Sequence, residues 1–341
     1  MPFTTDTAAP RALVLMAKET FAMQFDERRI GRLTSLTTGP ALVAESLDDP
    51  AIAEKLAEVE VLLTSWGVPL LDESALLRLP ALKAVFHCAG SVRSFATDAL
   101  WERDIVVSNG ADTNAIPVAE FTFASIILAG KRAQVLANDA RLVRGRHPFV
   151  GARGELGNLG RTVGIVGYSR IGRLVVELLG QLQDVKILVS DPYADAAQVA
   201  AAGATLVSLE DMLPLVDILS IHAPALPSTH HMIGEKELAA LADNATIINT
   251  ARGALIDTAA LTRECQAGRL IAVLDVTDPE PLPADSPLYD LPNVILTPHL
   301  AGSLGAETRR MSDEALDDLE RYATAQPLKS QIRQADMAFS A

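Results

Sequence analysis

A glycine-rich turn is the stretch of this chain whose residue types and spacing bear most directly on chemistry. Residues 164–172, GIVGYSRIG, place Gly167, Ser169 and Gly172 in the spacing G-x-G-x-x-G, with serine at the middle position. In such a turn the first glycine permits a tight bend, the second lets the backbone approach a pyrophosphate, and the third lets helix and strand pack closely. Serine adds only a small side chain, its hydroxyl can donate to a phosphate oxygen, and the helix N-terminus attracts the same anion. The turn therefore predicts a dinucleotide site.

An acidic residue at the end of the next strand separates this interpretation from a plain structural turn. Asp191 lies 19 residues after Gly172 and ends the run KILVSD, where a carboxylate can hydrogen-bond the adenosine ribose hydroxyls. The same carboxylate would repel the 2′-phosphate of NADP, so NAD is the expected cofactor. The alternative is that Asp191 only caps the next helix. Arg170 and Ile171 of the turn are also expected at the cofactor, where Arg170 can neutralise phosphate charge.

The elements that must position this turn are short apolar runs, which alternate with helical patterns along the whole chain. A first group of five runs and a second group of seven are predicted to be strands. By residue number they are 12–17, 41–45, 61–65, 82–88 and 105–109, then 162–167, 186–191, 205–207, 218–223, 245–250, 270–276 and 294–298.

Helical periodicity separates these runs. Residues 49–60 have apolar side chains every three or four positions, as an amphipathic helix requires. A long helix is predicted from about Pro117 to Arg144, with the proline in its first turn, and a last helix is predicted over 304–324. Regular strand–helix alternation predicts parallel sheets with helices on both faces. The predicted fold class is α/β, with two doubly wound parallel-sheet domains. The Gly-rich segment 151–160 separates the two groups of strands.

Composition narrows the range of partners. The chain has 341 residues, 49% of them hydrophobic, and a net charge of −14. This charge argues against nucleic acid as a partner, because a phosphate backbone is also negative.

The two cysteines, Cys88 and Cys265, lie in apolar runs and are interpreted as buried thiols in a reducing compartment. No metal-ligand spacing is apparent, so no metal is predicted. The N-terminus lacks a secretory pattern, and the uncharged run Phe121–Gly130 is shorter than the roughly 20 residues of a membrane span; a cytoplasmic location is expected.

Three further motifs indicate a family. They are NTARGALID (249–257), LDVTDPEPLP (274–283) and LTPHLAGS (296–303). Together with GIVGYSRIG and the early LKAVFHCAGSV (82–92), they resemble the D-isomer-specific 2-hydroxyacid dehydrogenases, in that family's order and over nearly the whole chain. The resemblance implies a flavodoxin-like substrate domain and a Rossmann NAD-binding domain. The substrate domain would comprise residues 1–112 plus 309–341, and the NAD domain residues 113–308.

The resemblance also implies an Arg–Glu–His catalytic site. His299 would take the hydroxyl proton of a 2-hydroxy acid, or protonate the keto oxygen in reduction, because imidazole titrates near neutrality. Glu280 would hydrogen-bond the histidine, fix its tautomer and favour its protonated form. Arg252 would hold the substrate carboxylate in a bidentate fork and polarise the adjacent carbonyl. Taken singly, each could be an ordinary structural residue; the three together at strand ends favour a site.

The remaining site residues follow from the same resemblance. Asp275 would reach the nicotinamide carboxamide, and Gly302 would lie near the nicotinamide. His222 is interpreted as part of the cofactor groove and not as a second base. The other groove residues would be Ala223, Pro224, Thr250 and Ala251, and the turn Ala89, Gly90, Ser91 and Val92 would offer backbone N–H groups to the substrate carboxylate.

Two residues depart from the family pattern on the substrate side. Trp66 stands in a loop where phosphoglycerate-oxidising relatives tend to have an arginine, so it disfavours a phosphorylated substrate; it could contact an apolar substrate or belong to the core. Arg93 could bind a second substrate carboxylate, but a solvent-facing role is favoured.

The sequence therefore predicts an NAD-dependent oxidoreductase that interconverts a 2-keto acid and a D-2-hydroxy acid. Glyoxylate, hydroxypyruvate or a larger apolar keto acid is the expected substrate, and a homodimer is the expected assembly. The alternative is an NAD-sensing interaction protein of the same superfamily. The complete Arg–Glu–His set would have no use in such a sensor.

Overall fold

The structure, a computed structural model, describes residues 9–145 and 155–338, so residues 151–154 of the predicted linker lie outside the described residues. The chain forms two compact units. The first contains the residues up to Asn114 together with those from Ser303 onward, and the second contains Ala115–Gly302. The units divide after Asn114 and after Gly302. The corresponding boundaries predicted from the sequence lie after residues 112 and 308.

The first unit is built on a six-stranded sheet in the order β2-β1-β3-β4-β5-β13, parallel except for β13, which pairs antiparallel with β5. Numbered in chain order, its strands are β1 (Ala12–Leu15), β2 (Leu42–Ala44), β3 (Val61–Thr64), β4 (Ala84–His87), β5 (Val106–Asn109) and β13 (Gln331–Ile332). Its helices are α1 (Lys18–Gln24), α2 (Glu27–Leu36), α3 (Glu73–Leu77), α4 (Asp98–Glu102) and α12 (Thr308–Ala323).

Both faces of this sheet are covered. In β1, Leu13 and Leu15 pack into one hydrophobic cluster, whereas Ala12 and Val14 pack into another on the opposite face. A strand buried on both faces has a continuous apolar run instead of an alternating pattern, as the sequence of β1 does.

The second unit is built on a seven-stranded parallel sheet in the order β12-β11-β10-β9-β6-β7-β8. Its strands are β6 (Thr162–Val166), β7 (Lys186–Ser190), β8 (Thr205–Leu206), β9 (Ile218–Ile221), β10 (Thr246–Asn249), β11 (Ile271–Leu274) and β12 (Val294–Leu296). Its helices are α6 (Ala133–Leu142), α7 (Arg170–Leu179), α8 (Ala196–Ala201), α9 (Leu209–Met212), α10 (Glu235–Ala240) and α11 (Thr258–Gln266), and α5 (Ala111–Gly130) crosses the division after Asn114.

The strand order of the second unit reverses at β6, which lies between β7 and β9. Ligands of open parallel sheets bind at this point, outside the carboxyl ends of the strands. The predicted fold class, two doubly wound α/β domains, is confirmed.

The prediction of one long helix over 117–144 is wrong. The chain forms α5 and α6 instead, and Arg132 between them has φ 49. α5 ends at Gly130, whose carbonyl accepts from Gly157 N and whose Cα faces the Asn158 side chain so closely that a Cβ would lie 1.8 Å from Asn158 Oδ1. The helix is therefore stopped by a segment distant in sequence.

Other differences concern element ends. Pro117 lies inside α5 and not in its first turn, because the helix begins at Ala111, where the Asn109 side chain accepts the backbone N–H. The periodic residues 49–60 form only the 3₁₀ helix Ala53–Glu58, and the last helix begins at Thr308. β13 was not predicted.

Helix α5 is the one candidate for a membrane span in the described part of the chain, by length and composition alone. Of its most apolar 18-residue stretch, 44% is buried in the structure. A core helix meets the same criterion, so α5 is weak evidence for a membrane.

Candidate active site

The predicted cofactor and catalytic residues of the second unit lie in the segments that follow the carboxyl ends of its strands. Parallel strands bring these ends to one edge of the sheet. The segments are 167–172 after β6, which includes the first turn of α7, Asp191 after β7, 222–224 after β9, 250–253 after β10, 275–280 after β11 and 297–302 after β12.

The glycine-rich turn needs glycine at two of its three positions. Gly167 has φ 94, and a Cβ there would lie 2.7 Å from Ala223 N and from His222 C. A Cβ on Gly172 would lie 2.1 Å from Gly167 O. Ser169 has φ −92, an ordinary value for an L-residue, and its exposed side chain makes no cap hydrogen bond to α7. The serine therefore fits the turn, and its hydroxyl does not occupy the N–H groups that open α7.

Asp191 is tied to the same turn. Its carboxylate accepts from Tyr168 N at 2.7 Å and from Tyr193 N at 2.8 Å. A carboxylate has about four acceptor positions, so a ribose hydroxyl can still be bound. The predicted ribose contact stays a prediction, but the acid stands beside the phosphate turn, as that contact requires.

His222 is buried and neutral. Its Nε2 lies 2.9 Å from Ser220 Oγ, while its Nδ1 has no partner among the described residues. Burial lowers the pKa of the His222 imidazole to about 3. A group of that pKa is a poor base at neutral pH, and its unpaired nitrogen suits a groove that receives a polar ligand.

The other groove residues are fixed by local hydrogen bonds. Thr250 Oγ1 lies 2.8 Å from Thr122 Oγ1 of α5, and Ala251 N donates to Asn249 Oδ1 at 3.0 Å. Ala223 is buried, and Pro224 and Gly302 are half-buried. A dinucleotide fits this set: glycine positions where no Cβ has room, a helix N-terminus free of a side-chain cap, and the unpaired Nδ1 of His222.

Arg252 is half-buried and interacts electrostatically with Glu280. Burial lowers the pKa of its guanidinium, and the charge of Glu280 opposes that shift. Its Nη1 donates to Ala251 O at 2.6 Å, and its carbonyl accepts from Asn249 Nδ2 at 2.8 Å. These bonds fix the turn that carries the arginine.

Gly253 is a site residue that the sequence reasoning missed. A Cβ there would lie 2.0 Å from Thr277 C and O, and 2.6 Å from Asp278 N. Only glycine lets the Arg252 turn lie directly on the loop that carries Glu280. The glycine directly after Arg252 was the one hint in the sequence. It could not be interpreted there, because a sequence does not show that two backbone segments approach closely.

Glu280 and His299 form the central pair. His299 Nδ1 lies 2.7 Å from Glu280 Oε1, and both side chains are about half exposed. His299 has φ 52, an uncommon value for a residue with a Cβ, and its N–H donates to Asp275 O and Thr297 O, each at 3.0 Å. With Nδ1 engaged by Glu280, Nε2 is the ring nitrogen available to a substrate.

Asp275 organises the loop around the histidine. Its buried carboxylate accepts from Thr297 Oγ1 at 2.6 Å, Leu300 N at 2.8 Å and Ala301 N at 2.9 Å. The sequence assigned Asp275 to the nicotinamide carboxamide, and that contact stays a prediction. The bonds present show a second role, which is to hold residues 297–301 and thus His299.

The predicted substrate residues belong to the first unit. Ala89 O accepts from Gly110 N, and Gly90 O accepts from Asn109 Nδ2 at 2.6 Å, so the turn after β4 is tied to the end of β5. Ser91 is half-buried and Val92 is buried, whereas Trp66 is 43% exposed and therefore not a core residue. Arg93 is exposed and donates to Met337 O.

The fold and the site together define a dinucleotide-binding α/β protein of the dehydrogenase class, with an arginine, a glutamate and a histidine at strand ends. Residues 135–301 match the family model described as D-isomer specific 2-hydroxyacid dehydrogenase, NAD binding domain. The chain is 34% identical over 260 residues to the glyoxylate reductase of Aeropyrum pernix, covering 74% of this chain and 77% of that one. It therefore belongs to the D-isomer specific 2-hydroxyacid dehydrogenase family, and its second unit contains an NAD-binding domain.

Two further comparisons agree. The chain is 34% identical over 276 residues to the D-3-phosphoglycerate dehydrogenase of Mycobacterium tuberculosis, covering 80% of this chain but only 50% of that one. The chain thus spans about half the length of the phosphoglycerate dehydrogenases that it matches. The D-mandelate dehydrogenase of Rhodotorula graminis superposes with a TM-score of 0.82 at 22% identity, covering 96% of this chain and 98% of that one, which shows a shared fold.

Proposed function

We propose that this protein is an NAD-dependent oxidoreductase that interconverts a 2-keto acid and a D-2-hydroxy acid. The observation that carries the proposal is the 2.7 Å contact between His299 Nδ1 and Glu280 Oε1, with Arg252 beside the same glutamate. A base oriented by a carboxylate, together with a half-buried guanidinium, is the arrangement that oxidation of an alcohol next to a carboxylate needs.

Each residue has a defined task in the reaction. Bound nicotinamide supplies the hydride in reduction and accepts it in oxidation. Arg252 binds the substrate carboxylate and polarises the C2 carbonyl. His299 delivers a proton from Nε2 to the keto oxygen, and it takes that proton back in the oxidative direction. Glu280 holds the ring through Nδ1 and stabilises the imidazolium.

The proposed substrate is glyoxylate, hydroxypyruvate or a larger apolar keto acid. Trp66 supports an unphosphorylated substrate, because an exposed indole supplies no positive charge for a phosphate. The name of the Aeropyrum pernix relative, glyoxylate reductase, agrees with a small keto acid.

The assembly and location proposed are a cytoplasmic homodimer. The apolar character of α5, with Leu128 41% exposed, supports pairing with a second copy. The free, buried Cys88 and Cys265 support a reducing compartment.

A keto-acid screen followed by NADH absorbance, repeated with NADPH, tests the proposal. His299→Ala should lower kcat by about 10²–10⁴-fold, since a positioned acid–base group contributes on that order. Arg252→Ala should raise KM and lower kcat together. Unaltered turnover by His299→Ala would refute the acid–base role, and binding of NADH without turnover of any keto acid would favour the sensor alternative.

A further inference from the structure

Three metal-ligating side chains meet at the surface of the second unit, outside the Arg–Glu–His site. The imidazoles of His230 and His231 and the carboxylate of Asp278 each offer one ligand atom, and these atoms all lie within 4.8 Å of one another. No ligand spacing in the sequence indicates this cluster, since the aspartate is far from the histidines along the chain.

The distances suit a single small ion. If the three donor atoms form an equilateral triangle with sides of 4.8 Å, an ion at its centre lies about 2.8 Å from each donor. Small rotations of the side chains shorten these distances to the roughly 2.0–2.2 Å of zinc–imidazole and zinc–carboxylate bonds. The two rings are stacked, with centroids 3.9 Å apart and planes at 26°, so a rotation of each ring is needed to turn both donor nitrogens toward one ion. Both histidines are exposed, so an ion can reach them from solvent.

The backbone holds the donors in place. His231 N donates to Ala254 O at 2.8 Å, and Ile233 forms a parallel bridge with Ile256. On the other side of the same segment, Thr258 Oγ1 donates to Asp278 O at 2.7 Å, and Gly253 lies directly on the Asp278 backbone. Both donor segments are therefore fastened to residues 253–258, so binding requires little ordering of the chain.

The donor set selects the class of ion. Two imidazoles and one carboxylate suit Zn²⁺ and neighbouring divalent transition ions, whereas Mg²⁺ and Ca²⁺ prefer oxygen donors alone. Three protein ligands leave a fourth position for water. His230 also lines a cavity of about 600 Å³ with Ala225, Leu226, Pro227, Ala254 and Leu255, which gives such a water room.

We propose that His230, His231 and Asp278 form a binding site for one divalent transition-metal ion of the Zn²⁺ type. The bound ion links the 230–231 segment to the loop that carries Glu280, which follows Asp278 by two residues. It stabilises that loop from outside the active site and takes no part in hydride or proton transfer.

Titration of the EDTA-stripped 341-residue chain with Co²⁺ tests the site. Cobalt substitutes for zinc and has visible absorption that reports coordination number, so the readout does not depend on activity. The expected result is one Co²⁺ bound per chain with a low-coordinate spectrum, displaced by Zn²⁺, and a higher Tm in the presence of Zn²⁺.

Three variants assign the ligands. His230→Gln, His231→Asn and Asp278→Asn should each weaken Co²⁺ binding by about 100-fold and abolish the Zn²⁺-dependent Tm increase. Asparagine is chosen at residue 231 because φ there is 51, a region that asparagine tolerates. Asp285→Asn, at an exposed acid of the same unit, is the matched control and should bind like the wild type.

Two outcomes would overturn the proposal. One is the absence of saturable Co²⁺ or Zn²⁺ binding to the folded wild-type protein. The other is binding that persists unchanged in the three variants, shown by circular dichroism to be folded, which would place the ion elsewhere.

Discussion

At the scale of single residues, the site depends on how His299 is held. Its φ of 52 is uncommon for a residue with a Cβ, and it is maintained by bonds from its N–H and by the Asp275 carboxylate, which accepts from Thr297, Leu300 and Ala301. Sequence motifs could identify the histidine, the glutamate and the aspartate. They could not show that Asp275 supports the histidine loop, because that role depends on three hydrogen bonds formed only on folding.

Replacing Glu280 by glutamine should separate orientation from charge. Glutamine can still hydrogen-bond the ring of His299, but it cannot stabilise the imidazolium. We expect kcat for keto-acid reduction to fall by about 10–100-fold. Steady-state kinetics of the variant and of the wild type measure the loss. A kcat equal to that of the wild type would show that the carboxylate charge is not used.

At the scale of elements, sequence periodicity placed every strand of the two sheets except β13, with ends within a few residues. β13 is two residues long and contains one apolar residue, Ile332, between polar neighbours, so unlike the equally short β8 it has no apolar run to detect. The break between α5 and α6 was missed for a different reason. Gly130 ends α5 because Asn158 packs against it, and contacts between distant segments leave no periodic signal.

The contact of Gly253 with the Thr277–Asp278 backbone gives a prediction about loops. Gly253→Ala introduces a Cβ 2.0 Å from Thr277 C, so the Arg252 turn must move away from the Glu280 loop. We expect kcat/KM to fall by about 100-fold, since misplacement of a substrate-positioning residue by about 1 Å costs on that order.

Gly31 provides the matched control. It lies in α2, and a Cβ there meets nothing within 4 Å. Gly31→Ala should raise the free energy of unfolding by about 0.5–1 kcal/mol through helix propensity and leave kcat/KM unchanged. Equal kinetics for the two variants would contradict the proposed role of Gly253.

At the scale of the whole molecule, a deeply buried neutral histidine is present among the described residues of each unit. Burial lowers the pKa of His87 to about 3, opposed in part by a backbone bond at Ser91, and burial likewise lowers that of His222 to about 3. In the unfolded chain an imidazole titrates near 6.5. Below that pH the unfolded state therefore takes up protons that the folded state does not, and stability falls as pH falls.

This linkage predicts acid sensitivity in both units. Between pH 7 and pH 5 each histidine should remove about 2 kcal/mol from the free energy of unfolding, since one pH unit of difference is worth about 1.4 kcal/mol. Urea unfolding at the two pH values measures the loss. In His87→Asn and in His222→Asn, the free energy of unfolding should fall by about 2 kcal/mol less between pH 7 and pH 5 than in the wild type, whatever the stability of the variant at pH 7. An equal fall in variant and wild type would mean that the imidazole takes up a proton in the folded state as readily as in the unfolded state.

The cysteines give a second prediction about the intact fold. Burial raises the pKa of both Cys88 and Cys265 to about 12, so neither is a thiolate at physiological pH. The native protein should not react with dithionitrobenzoate on the timescale of minutes, and both thiols should react at once in urea. Rapid modification of the folded protein would contradict the burial described.

The antiparallel pairing of β13 with β5 also sets an order of assembly during synthesis. The first unit takes α12 and β13 from the end of the chain, so its sheet and its helical layer stay incomplete until the ribosome has finished the second unit. All strands of the second unit, by contrast, are translated before α12 begins. The nucleotide-binding unit can thus fold on the ribosome before β13 has been synthesised and can pair with β5.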